Sequence, residues 1–190
     1  MKQLLLSILL TSFTIFLQAQ HFSAAGSIAW NVPIGAGVGA NAQQFDVDGG
    51  ITYGLDLLYY GNAEDPKIGV GIVWNTINLG TEDSFDNAVG FHMLGVKGVY
   101  HTRTSGFAPY FGISVGAAQL STPEVIIGDQ VILEAERSTS LALTPQFGLA
   151  LGGFQVSVDY MLPANFELKQ LGLIGQMGSL SYSAGYRQRF

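Results

Sequence analysis

The chain contains no cysteine. That excludes a disulfide scaffold, a thiolate metal site, a cysteine nucleophile and a lipid anchor attached through cysteine. Charge is scarce as well: Asp, Glu, Lys and Arg make up 12% of 190 residues. Disordered chains are richer in charge and poorer in aromatics than this one, which is 12% aromatic. Bases are outnumbered by acids, 8 against 14, so the basic patch that nucleic acid requires is missing. Past residue 17 no apolar run approaches the roughly 18 residues of a spanning helix, although mean hydropathy is +0.31. What the chain does have is 48% hydrophobic residues and 25 glycines. Its apolar residues must therefore be spread out along the chain.

Residues 1–20 read as a secretory signal peptide. Lys2 supplies a positive start, Leu4 to Leu17 an apolar stretch, and Ala19 a small residue for cleavage. A membrane anchor is the rival reading, but about 14 apolar residues is short for a span. Residues 21–190 are then the folded unit. Removal of Lys2 takes the formal charge from −6 to −7.

That unit alternates with period two. Ile28, Trp30 and Val32 share a parity, and Ser27, Ala29 and Asn31 fill the other. Successive side chains of a strand point to opposite faces, so each segment has one apolar face and one small, polar face. The pattern recurs around Leu55, Ile72, Val96, Ile113, Leu143, Val156 and Tyr182. Eight segments of about ten residues result, the length a tilted strand needs to cross a bilayer. The charges within them, Asp56, Lys97, Asp159 and Arg187, all fall on the small, polar parity. Lipid excludes charge from one face of a barrel and tolerates it on the other.

The connections alternate too. Those at 61–66, 102–106 and 152–153 are short. Those at 34–47, 79–89, 120–139 and 163–179 are long. Short turns on one side and long loops on the other describe an outer-membrane barrel with its turns and termini in the periplasm and its long loops extracellular. Aromatics gather near both strand ends, with Trp30, Tyr53, Trp74, Tyr160 and Tyr182 toward the loops. Phe22, Tyr59, Tyr100, Phe154, Tyr186 and Phe190 lie toward the turns, so two interfacial girdles result.

On these features, and on the end segment Leu180 to Phe190, the chain resembles the small eight-stranded outer-membrane β-barrels of the OmpA/OmpX-like class of Gram-negative bacteria. The expected fold is all-β: a closed antiparallel eight-stranded transmembrane barrel of up-and-down topology. The resemblance implies that Tyr182, Tyr186 and the final Phe190 form the signal read by the barrel-insertion machinery during biogenesis. Gln188 interrupts that alternation. A soluble sandwich or lipocalin-like barrel would also show period two. It would, however, turn the small, charge-poor parity to water, where soluble proteins carry about a quarter to a third charged residues.

Asp56, Lys97, Asp159 and Arg187 sum to zero, and buried charges are normally paired. They are expected to form an internal charge network that plugs the lumen; a narrow ion path or small-ligand barrel is the alternative. For a lipid-modifying enzyme, a third reading, only His92, Ser84 and Asp86 lie near the outer rim, and their spacing matches no lipase motif. No catalytic residue, cofactor or metal site is expected; Glu82, Asp83 and Asp86 read as a solvated acidic loop. The long loops and strand ends hold ten acids against Arg137 and Lys169, a balance of −8. Within the third, Val125, Ile126 and Ile127 face Val131, Ile132 and Leu133 across Gly128-Asp129-Gln130. This reads as a projecting β-hairpin. The expected function is therefore a non-enzymatic, structural or interaction role as an accessory subunit of a larger outer-membrane complex. Its expected partners are membrane lipid, lipopolysaccharide and another outer-membrane protein, and no nucleic acid.

Overall fold

In a computed structural model of the protein, the described residues are 22–38, 43–44, 47–61, 65–81, 84–122, 124–127, 130–169 and 173–190. The segment read as a signal peptide lies outside them, as do Glu82, Asp83, Gly128 and Asp129. In chain order the strands are β1 (Phe22–Val38), β2 (Gln43–Gln44), β3 (Val47–Tyr60), β4 (Ile68–Thr81), β5 (Ser84–His101), β6 (Phe107–Thr122), β7 (Val125–Ile127), β8 (Gln130–Leu133), β9 (Glu136–Leu151), β10 (Phe154–Leu168) and β11 (Leu173–Arg189). Among the described residues there is no helix.

Eight strands pair antiparallel in the order β1, β3, β4, β5, β6, β9, β10, β11, and β11 pairs back onto β1. The sheet is therefore a closed barrel without a free edge, the arrangement that satisfies every backbone group where water is absent. Closure runs from Ser23 opposite Arg189 to Val38 opposite Gly175, and Phe190 N donates to Phe22 O at 2.8 Å. Apolar side chains cover the outside. Leu55, Ile72, Val96, Leu141 and Val156 are each more than half exposed. Asp86 in β5 and Arg137 in β9 share the parity of the exposed apolar residues of their strands, both toward the loop ends. Every girdle aromatic lies on this outer face or partly exposed on it.

The eight barrel strands run 14 to 18 residues in length, longer than the ten expected. Eighteen residues of β5 at about 3.3 Å each span roughly 60 Å along the strand. That is more than a tilted strand uses in an apolar band about 25 Å tall. Much of what reads as long loop is thus continued ladder: β4 and β5 pair out to Thr81 opposite Ser84. Alternation fades where side chains leave lipid, but backbone pairing does not depend on it.

On the opposite rim the turns are tight. Gly106 (φ 69°) and Gly152 (φ 60°) adopt the left-handed conformation that glycine takes without penalty. Inside the wall, Gly95 and Gly116 sit opposite one another. A Cβ on either would run into the backbone of the other's strand, so these two glycines let β5 and β6 approach closely.

Candidate functional site

The lumen is built from the small, polar parity, and it is layered. Nearest the turns, Tyr60 and Tyr110 are almost fully buried, with His101 between them. Tyr60 Oη and His101 Nε2 are 3.3 Å apart, and the His101 and Tyr110 rings lie 5.3 Å apart. The Arg189 guanidinium covers the Tyr60 ring at 5.3 Å. His101 ends β5, and its parity with Lys97 and Val99 turns it inward.

Next comes charge. Lys97 Nζ donates to Asp56 Oδ2 at 2.9 Å, and Arg187 Nη2 donates to the same oxygen at 3.0 Å. Arg187 Nη1 lies 2.8 Å from Asp56 Oδ1 but directs its hydrogen bond to Ser23 Oγ at 2.9 Å. Nη1 therefore pairs with Oδ1 by charge, and Oδ1 has no aligned hydrogen bond among the described residues. Nε of Arg187 donates to Gln155 Oε1 at 3.3 Å. All three charged side chains are less than a tenth exposed. Such burial is tolerable only because each charge has a partner.

The fourth predicted member stands apart. Asp159 accepts from Ser157 Oγ at 3.2 Å, and Gln146 Nε2 donates to that same hydroxyl at 2.9 Å. The Ser157 and Ser183 hydroxyls are in contact. No ion pair reaches Asp159 among the described residues. It faces Lys97 and Asp56 across a cavity of about 30 Å³. A second cavity, of about 40 Å³, lies between Asp159 and Met161. Spaces of this size hold a few waters and pass no larger solute.

The loop-side half of the lumen holds an apolar cluster, with the buried Ser138 and Ser179 hydroxyls beside it. Phe91, Met93, Ala118, Leu120, Ala142, Met161, Ala164, Phe166 and Met177 form one buried cluster, with the Phe91 and Phe166 rings edge to face at 5.9 Å. Phe166 and Met177 fall within 163–179, expected as a long connection, and belong instead to β10 and β11. The register of β10 on β11 shifts between Met161 and Ala164. A bulge at Leu162-Pro163 moves the inward parity from odd to even positions, so Phe166 enters the lumen.

The six hairpin residues occupy β7 and β8, which pair as a separate two-stranded sheet with a shift between Val125 and Ile126. Its base is set by the last pair of the β6–β9 ladder, Thr122 opposite Glu136. Lys169 N donates to Glu136 Oε1 at 2.7 Å, which ties the end of β10 to that base. Tyr182, Tyr186 and Phe190 all face outward, and Gln188 shares their face.

Ser84, Asp86 and His92 all lie on β5. Eight residues separate Ser84 from His92, or about 26 Å along a strand. Among the described residues no group of three His, Asp or Glu side chains is placed to hold a metal ion.

No protein-family model and no curated protein sequence matches the chain. Solved structures do. Neisserial surface protein A (NspA) superposes with TM-score 0.61 at 15% identity, over 89% of this chain and 97% of that one. Ail of Yersinia pestis, in complex with the heparin analogue sucrose octasulfate, superposes with TM-score 0.57 at 19% identity, over 88% and 99%. The N-terminal β-barrel domain of Pseudomonas aeruginosa OprF gives 0.50 at 12% identity, over 87% and 97%. The chain thus has the closed eight-stranded, up-and-down fold of the small outer-membrane barrels of the OmpA/OmpX-like class.

Proposed function

We propose that the protein is an integral outer-membrane barrel with a plugged lumen, which serves as an accessory subunit of a larger outer-membrane assembly and engages it through its long connections. Its turns and termini face the periplasm and its long connections face outward. The observation that carries the reading is the filled interior. Aromatic, ionic, hydroxyl and apolar layers follow one another from rim to rim, which leaves the loop end as the surface available for work.

Two features of that end favour a protein partner. The β7–β8 sheet has only two strands, and a two-stranded sheet is marginal in water without something to pair or pack against. Strand addition to such an edge is a standard mode of recognition. The balance of −8 in the loops and strand ends also sets this chain apart from a polyanion binder. The sulfated heparin analogue is bound by Ail, whereas the bases needed for such a ligand are scarce here. Lipopolysaccharide and membrane lipid contact the outer face of the barrel.

Affinity purification of the tagged full chain from its native outer membrane, at natural expression level, tests the role. A stoichiometric outer-membrane protein is expected, lost when residues 125–133 are replaced by a Gly-Ser linker. A monomer by native mass measurement argues against it. Steady single-channel conductance of the purified barrel overturns the plug and favours the narrow-channel reading.

A further inference from the structure

A further cavity borders the aromatic and ionic layers on the turn side. It opens at the turn rim, has a volume of about 440 Å³, and is lined by His101, Arg103, Arg187 and Arg189 together with Phe154 and Tyr186. No Asp or Glu lines it among the described residues. The four cationic or potentially cationic groups are not equivalent. Arg187 is committed to Asp56, and His101 to Tyr60. Arg103 and Arg189 are exposed, and neither has an acidic partner among the described residues.

The frame around these two arginines is fixed. Thr102 N and Thr102 Oγ1 both donate to Pro109 O, at 2.9 and 3.0 Å, and brace the turn that carries Arg103. Arg189 rests over the Tyr60 ring, and Arg187 N donates to Gly153 O at 2.7 Å. Thr104 and Ser105 add hydroxyls to the lining. The apolar part of the lining belongs to the barrel's outer face: Phe154 is 70% exposed and stacks edge to face on Tyr186 at 5.3 Å. One cavity therefore joins the aromatic girdle to two guanidiniums that have no acidic partner among the described residues.

We propose that this cavity is a phosphate site that holds the headgroup phosphate of a membrane phospholipid, with the acyl chains running down past Phe154 and Tyr186. Guanidinium is the side chain best matched to phosphate, through paired N–H donors. A ligand that is anionic at one end and apolar at the other fits a cavity lined by both guanidiniums and aromatic rings. The inference rests on the reading of the chain as a membrane barrel, with the turn rim at a bilayer surface. Free inorganic phosphate shares the headgroup chemistry and is separated from it by the experiment.

The full chain, purified in detergent micelles, is titrated with phosphatidylglycerol and, separately, with inorganic phosphate. Native mass spectrometry reads lipid binding, and phosphate-induced amide shifts read the ion. Arg103→Gln/Arg189→Gln is expected to weaken phosphatidylglycerol binding by about tenfold or more, the loss of one to two charge-assisted contacts. Phe154→Ala is expected to weaken lipid binding and leave inorganic phosphate unaffected. That pattern supports a lipid headgroup. Equal affinity for both probes, unchanged by Phe154→Ala, supports the phosphate site with free phosphate as its occupant. Neither probe binding the wild type, or equal lipid binding by wild type and double variant, overturns the site while both proteins still insert into vesicles and show a heat-dependent gel shift. Loss of insertion and of the gel shift in the wild type overturns the barrel reading, and the site with it.

Discussion

The two halves of the lumen are filled by opposite chemistry. Toward the turns, one carboxylate binds two cations under a cap of tyrosines and histidine. Toward the loops, methionines and phenylalanines pack without a charge among them. An eight-stranded barrel leaves room only for side chains, and either filling closes it. The halves differ in how they fail. An ion cluster contributes little net stability when intact, because desolvation offsets attraction, yet it is costly to break, because the remaining charges stay buried. An apolar cluster fails in proportion to the volume removed.

The largest predicted effect breaks the ionic half. Asp56→Asn strands Lys97 and Arg187 in the lumen and is expected to cost about 3–5 kcal/mol. Urea unfolding in lipid vesicles measures it. Asp159→Asn is the control within the same lumen: that carboxylate accepts from Ser157 and has no ion pair. Its replacement by an amide of the same shape is expected to change stability by less than about 1 kcal/mol. Equal losses for the two variants would mean that the four charges act as one network rather than as a triad with an outlier. Asp56→Asn combined with Lys97→Met should recover part of the loss, since one stranded cation is removed.

The apolar half is expected to yield less abruptly. Phe166→Ala empties the centre of the loop-side cluster, at a cost of about 3 kcal/mol. Because Phe166 is reached only through the bulge at Leu162-Pro163, Pro163→Ala tests whether the bulge or the ring sets the packing. A Pro163→Ala protein with unchanged unfolding shows that the phenylalanine ring holds the register of β10. A loss as large as that of Phe166→Ala shows that proline does.

The sequence made the wall of this barrel legible and the filling only partly so. Period-two alternation marks which side chains face outward, and within the ten-residue segments the parity without Asp, Glu, Lys or Arg is the outer face. The inward direction of Asp56, Lys97 and Arg187 follows from the same rule. Which of the four charges touch does not, because contact across a barrel depends on the stagger between strands distant in sequence. Arg187 and Asp56 are 131 residues apart and both neighbour Ala25, one from each side. The apolar half was hidden for a different reason. Leu162-Pro163 shifts the parity of β10, so the residues beyond it no longer follow the alternation read before it. The strands extend past the alternating segments because backbone pairing continues where alternation ends.

The smallest effect is expected where an ion pair resembles the lumen triad in distance alone. Lys67 Nζ is 2.8 Å from Asp65 Oδ2 in the first turn, with both side chains over two fifths exposed. The hydrogen bond from Lys67 to Asp65, and then the Asp65 charge, push the lysine pKa up from 10.5. A raised pKa means that the folded state holds the proton more tightly. The contribution is therefore complete below the ordinary lysine value and disappears as pH rises through the raised one. Water and salt screen such a pair, and holding two long side chains in place opposes it. Lys67→Met is accordingly expected to leave the urea midpoint at neutral pH within measurement error, at low salt and at high salt alike. A loss approaching that of Asp56→Asn would show that distance, and not burial, sets the strength of ion pairs in this barrel.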